Sequence, residues 1–81
     1  MTMWNYRVIR TIDSYEVEPF YGIHEAYYTE RSNLPISATE DIVGVGGGSV
    51  AELRETLTKM LKALDEPVLE WHGEKLREVV P

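Results

Sequence analysis

The sequence of 81 residues contains no cysteine, a single phenylalanine and no long apolar run. Without cysteine the chain has no disulfide framework, no thiolate nucleophile and no cysteine-based zinc site. Small secreted domains often depend on disulfides, so we expect a cytoplasmic protein. No segment approaches the ~20 apolar residues of a transmembrane helix, and the first residues lack the pattern of a signal peptide.

Basic residues are also scarce. Lysine and arginine number 8 against 14 acidic residues, which gives a formal net charge of −6. The excess lies in residues 13–48, where seven acids accompany one base, Arg31. Because such a surface repels phosphate groups, we expect no direct nucleic-acid binding and no anionic membrane partner. A protein with a basic surface is the partner that this charge favours.

Strand patterns occupy the first half of the chain. Trp4, Tyr6 and Val8 alternate with polar residues, which is the period of a half-buried strand. Pro19 lacks a backbone donor and therefore belongs at an edge, at a bulge or at the start of a strand. We predict strands at residues 3–12, 20–29 and 36–45.

The second half opens with a helix pattern. Ser49 and Glu52 form the capping box that begins many helices. The apolar stripe of this helix is formed by Val50, Leu53, Leu57, Met60, Leu61 and Leu64. Pro67 prevents continuation, so we predict a helix at 49–65. Residues 67–71 are expected to form either a short return strand or a docked extended segment, and residues 70–81 a short extended tail.

This order of elements predicts a single small α+β domain over residues 1–81. Its expected architecture is a three-stranded antiparallel meander packed on one amphipathic C-terminal helix. The other sheet face would meet solvent or a second copy of the chain, because both faces of the second strand carry aromatic residues.

Catalytic and cofactor motifs are weak. The glycine-rich turn at 44–48 precedes a helix, but no strand–helix–strand unit follows and no P-loop lysine is present. His24 and His72 are the only histidines, and adjacent strand residues such as His24 and Glu25 face opposite ways. We therefore predict no enzyme, no cofactor and no metal site. A small-molecule or metal-binding protein that uses the glycine-rich turn or His24 is the alternative.

The tyrosine-rich second strand is the better candidate for a binding surface. Tyrosine offers a large, rigid contact area with a polar tip, although these rings can also fill a small core. Acidic residues on the same segment disfavour single-stranded nucleic acid. The predicted partner-binding residues are Glu16, Glu18, Tyr21, His24, Glu25, Tyr27, Tyr28 and Glu30.

Two stretches, Trp4–Ile9 and Tyr21–Tyr28, resemble a group of short bacterial proteins with no assigned activity. The likeness extends to Asp65–Leu69 and covers most of residues 4–69. It implies no catalytic residues.

The helix opening Gly48-Ser49-Val50-Ala51-Glu52-Leu53 is similar to that of HicB-like antitoxins, which also read as three strands followed by a helix. The chain lacks the proline- and cysteine-containing run that precedes the helix in that family. Residues 70–81 are too short and too acidic for its DNA-binding segment. The resemblance therefore implies the fold more than the role.

Together these patterns predict a non-enzymatic protein-interaction module, antitoxin-like or inhibitor-like. It would bind a basic protein or associate with itself as a homodimer.

Overall fold

The first two strands form a long antiparallel hairpin at the centre of the sheet. A computed structural model describes residues 3–12 and 18–79. Strand β1 is Met3–Thr11 and strand β2 is Phe20–Tyr28, paired in register from Met3 with Tyr28 to Thr11 with Phe20. Both strands are rich in aromatic and β-branched residues, and their bounds lie within one residue of the predicted ones.

The sheet extends further than the sequence predicts. Within the described residues it has five strands in the order β3-β2-β1-β4-β5, where β3 is Ser37–Ala38, β4 is Leu69–His72 and β5 is Lys75–Glu78. Strand β4 pairs parallel to β1, with Ile9 opposite Leu69, and the other pairs are antiparallel. The α+β class is confirmed, but the three-stranded meander is only part of a mixed sheet.

The predicted tail differs most from the structure. Most of residues 70–81 forms the end of β4 and the whole of β5, joined by a tight turn at Gly73, whose φ is 67°. This left-handed backbone suits glycine, which has no Cβ to clash. Leu76 in β5 is buried, although its neighbours in the sequence are polar.

The predicted third strand, 36–45, is much shorter in the structure. Beyond the two residues of β3, the segment follows β2 through separate backbone hydrogen bonds, from Thr39 N–H to Glu25 O and from Val43 N–H to Ile23 O. Thr39 interrupts a regular ladder, because its hydroxyl accepts from Glu25 N–H and donates to Asp41 O.

The helix α1 is Val50–Ala63, close to the predicted span. Ser49 Oγ accepts from Glu52 N–H at 3.1 Å, as the capping box predicts. The Glu52 carboxylate reaches back one residue further than expected, to Gly48 N–H at 2.7 Å. No helix in the described ranges is long and apolar enough to cross a membrane.

Two contacts define the interior. Ile9, Leu69 and Leu76 form a buried cluster, against which Leu34, Ala38 and Trp71 pack. The helix packs on β1 and buries Met60 and Ala63. Only part of the predicted apolar stripe therefore faces the sheet. Met60 is buried there, whereas Leu57, Leu61 and Leu64 are exposed to solvent.

Candidate interaction surface

Strand alternation divides the predicted binding residues between the two faces of the sheet. Tyr21, Glu25 and Tyr27 lie on one face, opposite Arg10, Tyr6 and Trp4 of β1. The helix lies against β1 on this same face, because Val8 is only 6% exposed there and Trp4 and Tyr6 border a cleft together with Ala63. We call it the open face because it remains uncovered along β2. His24 and Tyr28 lie on the other face, which we call the inner face and which also carries Ile9 and Leu69. Side chains on opposite faces cannot contact one partner surface together.

The open face carries exposed aromatic area. Trp4 is 48% exposed and Tyr21 is 53% exposed. The Trp4 ring meets Tyr6 edge-on, with centroids 5.2 Å apart. Packing of this kind holds the indole in place without covering it, so a rigid aromatic surface faces outward.

Glu25 and Tyr27 form a pair at the acidic end of the open face. The Tyr27 hydroxyl donates to Glu25 Oε2 at 2.9 Å. This hydrogen bond, reinforced by partial burial, raises the pKa of Tyr27 above its ordinary value because the phenolate would lose the bond and repel the carboxylate. Glu40 and Asp41 are exposed on the segment that runs beside Glu25.

The remaining acidic residues of the predicted set are dispersed. Glu18 precedes β2 and Glu30 follows it, both exposed, so the nine residues of the strand separate them. At about 3.4 Å per residue, this separation is on the order of 30 Å. Glu16 lies outside the described residues. The acids therefore follow the length of β2 and form no single cluster.

The opposite end of the open face has a different charge. Arg10 forms an ion pair with Glu70 at 2.6 Å, and Glu70 also contacts His72 Nε2 at 2.8 Å. The hydrogen bonds that Glu70 accepts, first from Arg10 and then from His72, lower the pKa of Glu70. The hydrogen bonds that Arg10 donates, first to Glu70 and then to Tyr21, raise the pKa of Arg10. Sequence analysis missed this network, since 60 residues separate Arg10 from Glu70 and no local signal links them.

By register, Lys75 and Arg77 lie on the same face of β5, opposite His72 and Glu70. On the open face β2 therefore carries an acid, Glu25, whereas β5 at the far edge carries two bases. This polarity limits any acidic docking surface to the half of the sheet that β2 borders.

On the inner face, His24 has a structural environment. It is 2% exposed, and its Nδ1 lies 2.8 Å from Thr39 O. Because a carbonyl only accepts, Nδ1 carries the proton of that hydrogen bond. A partner could not reach His24 without displacing the segment that covers it.

Tyr28 also directs its polar tip inward. Its hydroxyl accepts from Arg7 Nη1 at 2.8 Å, and Arg7 Nη2 donates to Pro67 O at the same distance. Arg7 is itself buried, which the sequence did not indicate. Arg7 therefore ties the end of β2 to the segment that leads into β4, and Tyr28 contributes to this junction.

The glycine-rich turn and His24, on which a small-molecule or metal-binding function would depend, already make contacts within the chain. At the glycine-rich turn, Glu52 accepts from Gly48 N–H, so a carboxylate stands where a phosphate would bind. In the part of the chain that the structure describes, no group of three or more histidine, cysteine or acidic residues could hold a metal ion.

A cleft of about 360 Å³ is present beside the end of the helix. It is lined by Trp4, Asn5, Tyr6, Lys59, Lys62, Ala63 and Glu66.

Comparison of the chain with models of protein families, with curated proteins and with solved structures gave no match. The functional argument therefore depends on the geometry of the open face.

Proposed function

We propose that this chain is a non-enzymatic protein-interaction module that binds a basic protein through the β2 half of its open face. The observation that carries the proposal is the half-exposed Tyr21 ring on the same face as Glu25 and Tyr27. Tyr27 on this face is hydrogen-bonded to Glu25, and an aromatic ring beside a carboxylate suits a partner that presents lysine or arginine among apolar side chains.

The charge of the chain supports the same partner. Its net charge of −6 attracts a basic protein over long range and speeds their association. The aromatic side chains would then supply most of the affinity, since exposed charge pairs individually contribute little. Salt would weaken the attraction by screening it.

An inhibitor-like or antitoxin-like role is the form of this function that we propose. Such proteins bind and mask a small basic partner, and the opening of α1 resembles the corresponding part of HicB-like antitoxins. Absence of cysteine supports a cytoplasmic setting for that complex.

The test replaces acidic residues along β2 with lysine. A triple variant, Glu18→Lys, Glu25→Lys and Glu30→Lys, should lose the basic protein that the unchanged chain captures from a lysate of its own cells. Titration of the purified partner should show a weakening of at least about tenfold, because opposite charges become like charges. Tyr21→Ser should weaken binding by a similar factor, through loss of an aromatic anchor.

A matched variant separates the site from net charge alone. It reverses two exposed acids elsewhere, Glu55→Lys and Glu74→Lys, and is compared with a β2 variant that reverses only Glu18 and Glu25. This variant should retain the partner to a greater extent than the β2 variant does. Equal capture by both, with circular dichroism showing both folded, would contradict a docking surface along β2.

A further inference from the structure

The helix α1 and its C-cap residue Leu64 expose an apolar edge that is interrupted only by Arg54 and that the fold leaves uncovered. Its residues, which we call the helix ridge, are Val50, Leu57, Leu61 and Leu64. Each of the four is between 49% and 72% exposed. Single exposed leucines are common, but four aligned on one helix form a surface suited to association.

The spacing of the ridge is that of a helix-pairing seam. Its residues are separated by seven, four and three positions, which are the steps between a and d sites of a heptad. At about 100° per residue around the helix axis, the four ridge residues span an arc of only about 60°. The centre of this arc lies about 100° around the axis from the buried side chains of Met60 and Ala63. The helix can therefore pack on β1 and still present the ridge sideways.

We infer that the helix ridge pairs with the ridge of a second copy of the chain, with the two α1 helices antiparallel. A two-fold axis near residue 59 places Leu57 against the partner's Leu61, and Leu61 against the partner's Leu57. This arrangement is isologous and closes as a dimer.

Charge complementarity selects the antiparallel orientation. Arg54 occupies the remaining seam position between Val50 and Leu57, and Asp65 follows Leu64 at the end of the helix. In the antiparallel dimer the aliphatic stem of Arg54 covers the partner's Leu64 and its guanidinium reaches the partner's Asp65, twice per dimer. Parallel helices would instead bring two Arg54 side chains together at the seam, which is unfavourable.

The first experiment measures mass in solution over a dilution series by light scattering and sedimentation, at physiological salt. The unchanged chain should pass from dimer to monomer on dilution. Leu61→Glu should raise the dimer dissociation constant by about 30-fold or more, because two exposed leucines lose their burial and two charges enter the seam. Lys59→Gln is the matched control: it changes net charge equally but lies on the far side of the helix, so the dimer should persist.

The second experiment tests the orientation. Arg54→Asp and Asp65→Arg should each weaken the dimer, since each places like charges together across the axis. The double variant Arg54→Asp with Asp65→Arg should recover most of the lost affinity, because it restores both pairs in reverse.

Every outcome has a defined meaning. A chain that stays monomeric at the highest soluble concentration, or a dimer that Leu61→Glu leaves intact, overturns the proposal. A dimer that Leu61→Glu dissociates but the charge swap does not restore overturns the antiparallel register. None of these substitutions alters β2, so the result is independent of the binding test for the open face.

Discussion

Replacing Leu76 with alanine tests the feature that most separates the structure from the sequence prediction, the strand β5. Leu76 is 4% exposed and belongs to the cluster with Ile9 and Leu69. Truncating a buried leucine to alanine costs about 2–5 kcal/mol, from lost transfer energy and the cavity left behind. A chain of 81 residues has a total stability of about 4–12 kcal/mol, so the loss is a large fraction of it.

The assay is urea unfolding followed by tryptophan fluorescence, since Trp71 packs against the same cluster. Leu76→Ala should lower the free energy of unfolding by at least about 2 kcal/mol and the melting temperature by about 8 °C or more. Lys75→Ala, at an exposed position of the same strand, is the control and should change stability by less than about 0.5 kcal/mol. If Leu76→Ala costs no more than that control, β5 does not contribute to the core and the reasoning fails.

Two further predictions follow from close contacts. A Cβ added at Gly22 would clash with the side chain of Ile42, so Gly22→Ala should destabilise the chain by about 1–3 kcal/mol. A Cβ at Gly44 would meet nothing within 4 Å, so Gly44→Ala should be neutral or slightly stabilising; equal urea midpoints for the two variants would contradict the packing of Ile42. The pKa of Glu70 in the folded chain is lowered, chiefly by Arg10, from its ordinary value of 4.5. Its stabilising contribution is therefore complete above that value and is lost as pH falls through the folded pKa. Glu70→Gln should accordingly lose less stability than the unchanged chain between pH 7 and pH 3, and identical losses in urea unfolding would refute the role of the pair.

Local signals predicted the helix and the central hairpin well. The Ser49–Glu52 capping box and the break at Pro67 act within a few residues, so the limits of α1 could be determined without tertiary information. Alternation along β1 and β2 likewise assigned Tyr21 and Glu25 to one face and His24 to the other.

The candidate site could be predicted only in part. The sequence identified the tyrosines and acids of β2, but it could not show that Tyr28 bonds to Arg7 or that Thr39 covers His24. Those contacts join residues 15 or more positions apart, and hydrophobic periodicity carries no information about such distances.

Tertiary structure decided the remaining features. The parallel pairing of Ile9 with Leu69 joins distant parts of the chain, and it turns a short apolar segment into the neighbour of the central strand. The pairing of β4 with β1 brings Glu70 to Arg10. It also makes β4 the edge against which β5 pairs, and β5 buries Leu76. It is favourable only when several long-range contacts form together, because each alone does not offset the entropy of closing the chain. By itself, the sequence determined the helix, the central hairpin and the acidic charge of the chain. The choice of which apolar side chains are buried depended on how these elements pack together.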